Sequence, residues 1–154
     1  MTTERTEQTM DEYVTATVGG QRFGLPILRV QDVFVPERLT RVPLAAPEIA
    51  GLLNLRGRIV TLIDVRRRLR LRGDGAEGPA MAIGVESQGE SYGLLVDSVG
   101  EVVALDPKLR ESNPVNLDPW IAEVSAGIYR LEDQLLVLID VDRILGIGRK
   151  AVAA

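Results

Sequence analysis

The chain repeats itself. Gly51 to Leu69, GLLNLRGRIVTLIDVRRRL, aligns without a gap against Gly127 to Leu145, GIYRLEDQLLVLIDVDRIL, so that Asp64 answers to Asp140. Upstream, Gln21 to Val33 aligns with Glu90 to Val102, Phe23 answering to Tyr92, at a slightly shorter separation, so the halves differ by a short indel. In a folded duplication, positions held in common answer to the fold, and positions that differ are free to carry function. A chain of 154 residues has the length of one domain, and such a domain buries roughly 70% of its unfolded surface. Either half alone would be marginal, so the two lobes are expected to share a core.

The apolar periodicity is mostly two. Val14, Ala16 and Val18 alternate with threonines, and Gly19-Gly20 then offers a two-residue turn before Gln21 to Leu25, a hairpin signal. The second half repeats the device with Met81 to Val85, a turn near Ser87 to Glu90, and Tyr92 to Val96. Further strands are expected at Val30 to Val35, Arg58 to Ile63, Val99 to Leu105, Gly127 to Leu131 and Leu135 to Ile139. Short helical turns are expected at Pro47 to Ala50, after Asp118 with Pro119 in the first position, and after Asp64 and Asp140. Short strands punctuated by glycine and proline point to all-β small barrels. Leu71 to Pro79 is the natural connection between the halves.

Composition removes most catalytic chemistry. There is no cysteine and no histidine, hence no thiolate metal site, no thiol nucleophile and none of the usual general base. Gly89 to Gly93 matches the nucleophile-elbow pattern of serine hydrolases, but it sits in a hairpin and has no histidine to serve it. Asp140-Val141-Asp142 opens like a calcium loop, yet the required glycine is Leu145. The start of the chain is polar and no apolar run approaches the roughly 18 residues of a membrane span. The expectation is a cytoplasmic protein that is not an enzyme and needs no cofactor or metal.

The net charge of −4 is unevenly spread. Arg56 to Arg72 holds seven arginines and only Asp64 as an acid, +6 against −10 for the remainder. A solvated helix end, an acidic protein partner and nucleic acid are the three readings of such a cluster. Without interleaved aromatic residues to stack on bases, nucleic acid is the least favoured.

The repeat also sorts individual residues. Asp64 and Asp140 occupy equivalent places before helical turns, which suits structural caps. Gly24 and Gly93 are equivalent, which favours a backbone reason, although a glycine can also let a partner approach. Val30, Val33, Val99 and Val102 pair across the repeat in the manner of core positions. Asn54-Leu55-Arg56-Gly57 differs, because its counterpart Arg130-Leu131-Glu132-Asp133 carries the opposite charge at the turn. Arg56 is therefore the leading functional candidate, against a structural ion pair between the lobes.

Phe23 to Val33, Val42 to Pro47, Gly51 to Arg66 with Asn54-Leu55-Arg56-Gly57 inside it, and Tyr92 to Val102 together resemble the CheW family, the coupling proteins of bacterial chemotaxis. The resemblance runs from about Tyr13 to Gly146. It implies two intertwined five-stranded barrels of SH3-like topology with short helices, in lobes of roughly 13–72 and 80–146 interleaved at their edges. A flexible polar segment over 1–12 and a tail over 147–154 lie outside. It further implies an adaptor joining methyl-accepting chemoreceptor tips to a CheA-type histidine kinase, recruited to membrane-associated arrays without insertion and without nucleic acid. In that family the receptor tip lies in an apolar groove between the lobes and the kinase meets the end of one barrel. Val30, Asp32, Gly51, Arg56, Gly93, Val99 and Val102 would border these contacts, with Val33, Asn54 and Gly57 beside them. Two departures stand out: Asp32 replaces the usual glutamate, and Thr61 the usual proline. The rival reading is a nucleic-acid-binding small barrel using the Arg56 to Arg72 cluster.

Overall fold

The structure, a computed structural model, describes residues 9–71 and 80–146. The connection beyond Leu71 and both expected tails lie wholly or mostly outside these residues. Ten strands form: β1 (Asp11–Val18), β2 (Gln21–Pro26), β3 (Val30–Phe34), β4 (Ile49–Leu55), β5 (Arg58–Asp64), β6 (Met81–Ser87), β7 (Glu90–Val96), β8 (Ser98–Leu105), β9 (Ser125–Arg130) and β10 (Leu135–Ile139). Two short helices, α1 (Val65–Arg68) and α2 (Pro119–Ala122), and a helical stretch over 141–146 complete the frame. The caps are as expected: Asp64 accepts from the Arg67 backbone N–H at 3.3 Å, Asp140 from that of Arg143 at 3.1 Å, and Asp118 from that of Trp120 at 2.8 Å.

The strands make two five-stranded mixed sheets, ordered β8-β1-β2-β10-β9 and β3-β6-β7-β5-β4. Neither sheet belongs to one half of the sequence. Each takes the leading hairpin of one half and the three following strands of the other, so the lobes interleave by whole hairpins rather than at their edges. The hairpins join their hosts through parallel pairs, β2 with β10 and β5 with β7, and through antiparallel pairs, β1 with β8 and β3 with β6. An isolated hairpin is at best marginally stable in water, which explains why the exchange is complete.

One shared core lies between the sheets, where Phe23, Leu25, Ile128 and Val137 of one meet Ile63, Ile83, Tyr92 and Leu94 of the other. Each sheet also closes over a smaller cluster. The two clusters use equivalent positions with different side chains. Tyr13 and Tyr129, their ring centroids 5.9 Å apart, fill one with Leu136 and Leu138, whereas Ala82, Leu53, Val60 and Leu62 fill the other with help from Phe34. Equivalent positions are thus filled by different side chains, and Phe34 adds bulk to the cluster that lacks the tyrosines.

One expected element is absent. Instead of a helical turn over Pro47 to Ala50, a single turn at Pro47-Glu48 is closed by the Ile49 N–H donating to the Ala46 carbonyl, and β4 begins at Ile49, whose partner in register is Ile63. Burial of Ile49 and Leu53 in the sheet outweighs the local turn signal. The first strand also begins at Asp11, two residues before the expected boundary.

Arg68 is 3% exposed, and donates from Nε to the Ile144 carbonyl and from Nη2 to that of Arg143, both at 3.2 Å, while its Nη1 has no partner. Removing it strands two carbonyls and leaves a cavity. Arg68→Ala should cost about 2–4 kcal/mol, seen as a fall of roughly 5–15 °C in the circular dichroism melting midpoint.

Tyr129 is likewise buried, and its hydroxyl makes no hydrogen bond of normal geometry. Burial first, then Tyr13 and Asp11 nearby, push its pKa from 10.0 up to about 12. A raised pKa means that the fold disfavours the phenolate, so this stabilisation is present below about pH 10 and lost as pH rises through about 12. Tyr129→Phe should change the midpoint little at pH 8, since an unsatisfied hydroxyl contributes little. The same variant should unfold less readily than the parent between about pH 10 and 12, as read by melting curves along that series.

Candidate functional site

The β4–β5 connection is a two-residue turn in which Arg56 and Gly57 both have positive φ, 53° and 85°. That is the type I′ geometry whose twist matches a hairpin, and it favours glycine, asparagine or aspartate at both places. Arginine there costs about 1 kcal/mol. Asn54 holds the turn by accepting the Gly57 N–H on Oδ1 at 2.9 Å. Arg56 is left exposed, with no ion pair among the described residues. The inter-lobe ion pair considered for it is therefore not formed.

Beside this turn lies a depression of about 700 Å³ lined by Phe34, Val35, Arg38, Leu52, Leu55 and Ile59, among others. Phe34 ends β3 and Leu52 to Leu55 belong to β4, so the sheet curls until its two outer strands face one another. Ile59 is 59% exposed and Val35 47%. Sequence reading missed Ile59, Val35 and Arg38. For Ile59 the signal was available, because an apolar residue at the charged tip of a hairpin has no core to enter.

The remaining expected residues divide by burial. Val30 and Val99 pack half-buried against the shared core, on β3 and β8, the outer strands of different sheets. Val33 and Val102, 39% and 48% exposed, face outward on the same strands. Asp32 lies opposite Gly84 on β6, where any Cβ would collide with its carboxylate. Gly51 and Gly93 are buried and offer no surface to a partner. At Gly51, φ is +154° and a Cβ would stand 2.7 Å from the Thr40 carbonyl. Its repeat counterpart Gly127, with φ +128°, approaches the Glu111 carbonyl in the same way. At Gly93 the Leu62 methyl occupies the space. Both are packing glycines, which the repeat had favoured for Gly93.

The arginine cluster does not form one basic face. Arg66 pairs with Asp97, Arg67 lies 3.7 Å from Asp64, Arg68 is buried, and the Arg70 guanidinium stacks 3.9 Å from the centroid of the Trp120 ring. Arg56 and Arg58 stand apart at the hairpin tip, and Arg72 lies outside the described residues. Among the described residues no helix is long and apolar enough to cross a membrane, and no group of three acidic, histidine or cysteine side chains is placed to hold a metal.

The CheW-like domain family model matches residues 12–148. The chain is 28% identical to the chemotaxis protein CheW of Klebsiella aerogenes, over 87% of this chain and 81% of that one. It is 26% identical to the CheW of Bacillus subtilis, over 90% and 88% respectively. The solved scaffolding protein CheW of Thermoanaerobacter tengcongensis superposes with a TM-score of 0.77 at 29% identity, covering 85% of this chain and 84% of that one. The exchanged hairpins, the paired sheets and the Asn54 to Gly57 turn thus lie in a chain that belongs to the CheW-like family of chemotaxis scaffold proteins.

Proposed function

We propose that the chain is a non-enzymatic cytoplasmic adaptor that couples chemoreceptor tips to a CheA-type histidine kinase in membrane-associated arrays. The observation that carries this reading is the Arg56 turn: an exposed guanidinium, held in a backbone conformation that arginine disfavours, beside an apolar depression. Strain of this kind is retained where a side chain is needed at one place. A guanidinium so placed makes planar, charge-assisted contacts with a carboxylate, and the exposed Ile59 and Val35 supply apolar area around it. This end of the barrel suits the kinase. Val30, Val33, Val99 and Val102, with Asp32 among them, suit the apolar stripe of a helical receptor hairpin. Each contact can be weak, because neighbours tethered in an array raise the effective concentration.

A pull-down with a cognate receptor fragment and kinase should recover all three proteins together. Recovery of neither partner, across every encoded pair, would refute the adaptor reading.

Arg56→Glu should leave the melting midpoint within a few degrees of the parent, as befits an exposed turn. Receptor-dependent kinase activation should fall at least about tenfold, equivalent to about 1.4 kcal/mol of interface energy. Arg56→Asn suits the turn better and should melt no lower than the parent, yet it should lose activation too. An Asn variant with full activation would show that only the turn, and not the guanidinium, matters.

A further inference from the structure

The charged side-chain contacts that join the two halves share one polarity among the described residues. Arg66 of the first half pairs with Asp97 of the second, and Asp97 also accepts the Gly19 N–H at 2.9 Å. On the other side of the molecule Arg29 of the first half donates to Asp142 of the second at 3.0 and 3.2 Å. Between them Arg68 of the first half donates to the carbonyls of Arg143 and Ile144 of the second. In these side-chain contacts among the described residues, the cation comes from the first half and its acceptor from the second.

The repeat turns this polarity into a rule. Arg66 and Asp142 are equivalent positions, each two places after a capping aspartate, and Arg68 and Ile144 are equivalent in the same register. Asp97 is equivalent to Leu28, beside Arg29, in the register that sets Tyr92 against Phe23. Arg68 touches its own counterpart, which places this pair on the approximate twofold axis. The shared frame would otherwise let a first half pair with another first half, hairpin for hairpin. That arrangement would bring Arg66 against Arg29 and set two Arg68 side chains on the axis. Two second halves would bring Asp142 against Asp97. Both like pairings confront like charges, at the exposed Arg29 place in one and at the part-buried Asp97 place in the other, and only the unlike pairing is neutral.

We infer that the junction is a heterotypic recognition surface, cationic on the first half and anionic on the second. It accepts the complementary half of a second copy of this chain in place of its own. Covalent continuity through residues 72–79 then supplies proximity, not specificity. A reciprocal exchange between two chains rebuilds both mixed sheets and the contacts named above.

Full-length variants test this. Arg29→Glu with Arg66→Glu makes both halves of the junction acidic, and Asp97→Arg with Asp142→Arg makes both basic. Each two-site variant should melt about 5–10 °C below the parent, and the four-site variant, with polarity reversed throughout, should recover at least half of that loss. Unfolded together in urea and refolded as an equimolar mixture, the two two-site variants should give a mixed dimer. Native mass spectrometry should show it in about tenfold excess over either dimer of like chains. A four-site variant as unstable as the worse two-site variant would overturn the charge rule even if refolding failed. A statistical mixture of dimers, or monomers alone, would overturn the exchange between copies.

Discussion

A β-hairpin cannot cover its own apolar face, and the whole architecture answers that fact. The leading hairpins β1–β2 and β6–β7 each present buried side chains that their own half leaves uncovered, and each is inserted into the sheet of the other half. The β2–β10 and β5–β7 ladders are parallel, which two strands joined by a tight turn cannot be. Only a chain that leaves one sheet and returns can make them. The crossing segments bring Phe23 and Tyr92, equivalent residues of the repeat, into the same shared core. Stability is therefore a property of the pair of halves and not of either one.

Equivalence in the frame does not require equivalence in the side chains. Tyr13 and Tyr129 fill one small cluster with aromatic volume, and the other manages with Ala82, Leu53 and Phe34. The tyrosine solution carries a penalty, because the Tyr129 hydroxyl enters the interior without a partner of normal geometry. The corresponding Leu53 carries no polar atom. Where two positions converge on the axis, the divergence is sharper still: Ile144 adds to the apolar core while Arg68 crosses to carbonyls of the opposite helix.

Most of the fold was legible because the repeat supplies its own check. Nine of the ten strands follow from period-two patterning and the hairpin glycines. The one that was missed, β4, is the counterpart of β9, so the second half already contained the answer that the Pro47 turn signal obscured. The caps at Asp64 and Asp140 and the turn at Arg56 were legible for the same reason. What was not legible was the fate of the arginines. Seven of them in a short stretch read as a single basic feature in one dimension. In three dimensions the β5 hairpin, α1 and the turn after it send the described arginines to different neighbours, and a buried guanidinium, a part-buried ion pair, a ring stack and two exposed tips result. Long-range partners such as Asp97, Trp120 and Ile144 decide each case, and no local pattern names them. The burial of Gly51 belongs to the same class, since the Thr40 carbonyl that excludes a side chain comes from the preceding loop.

The break in symmetry at the hairpin tips has a physical consequence for a scaffold. A perfectly twofold frame offers the same surface twice, so it can join only like to like. Duplication within one chain removes that restriction, since each tip can change without the other. In the second half, Leu131 closes its turn on Gln134 and presents Glu132 and Asp133, whereas the first half closes on Asn54 and presents Arg56 and Arg58. The junction meanwhile keeps its shape, because the glycines and caps that define it are shared by both halves. One chain thereby carries two hairpin tips of opposite charge, a difference that a perfectly twofold pair could not offer.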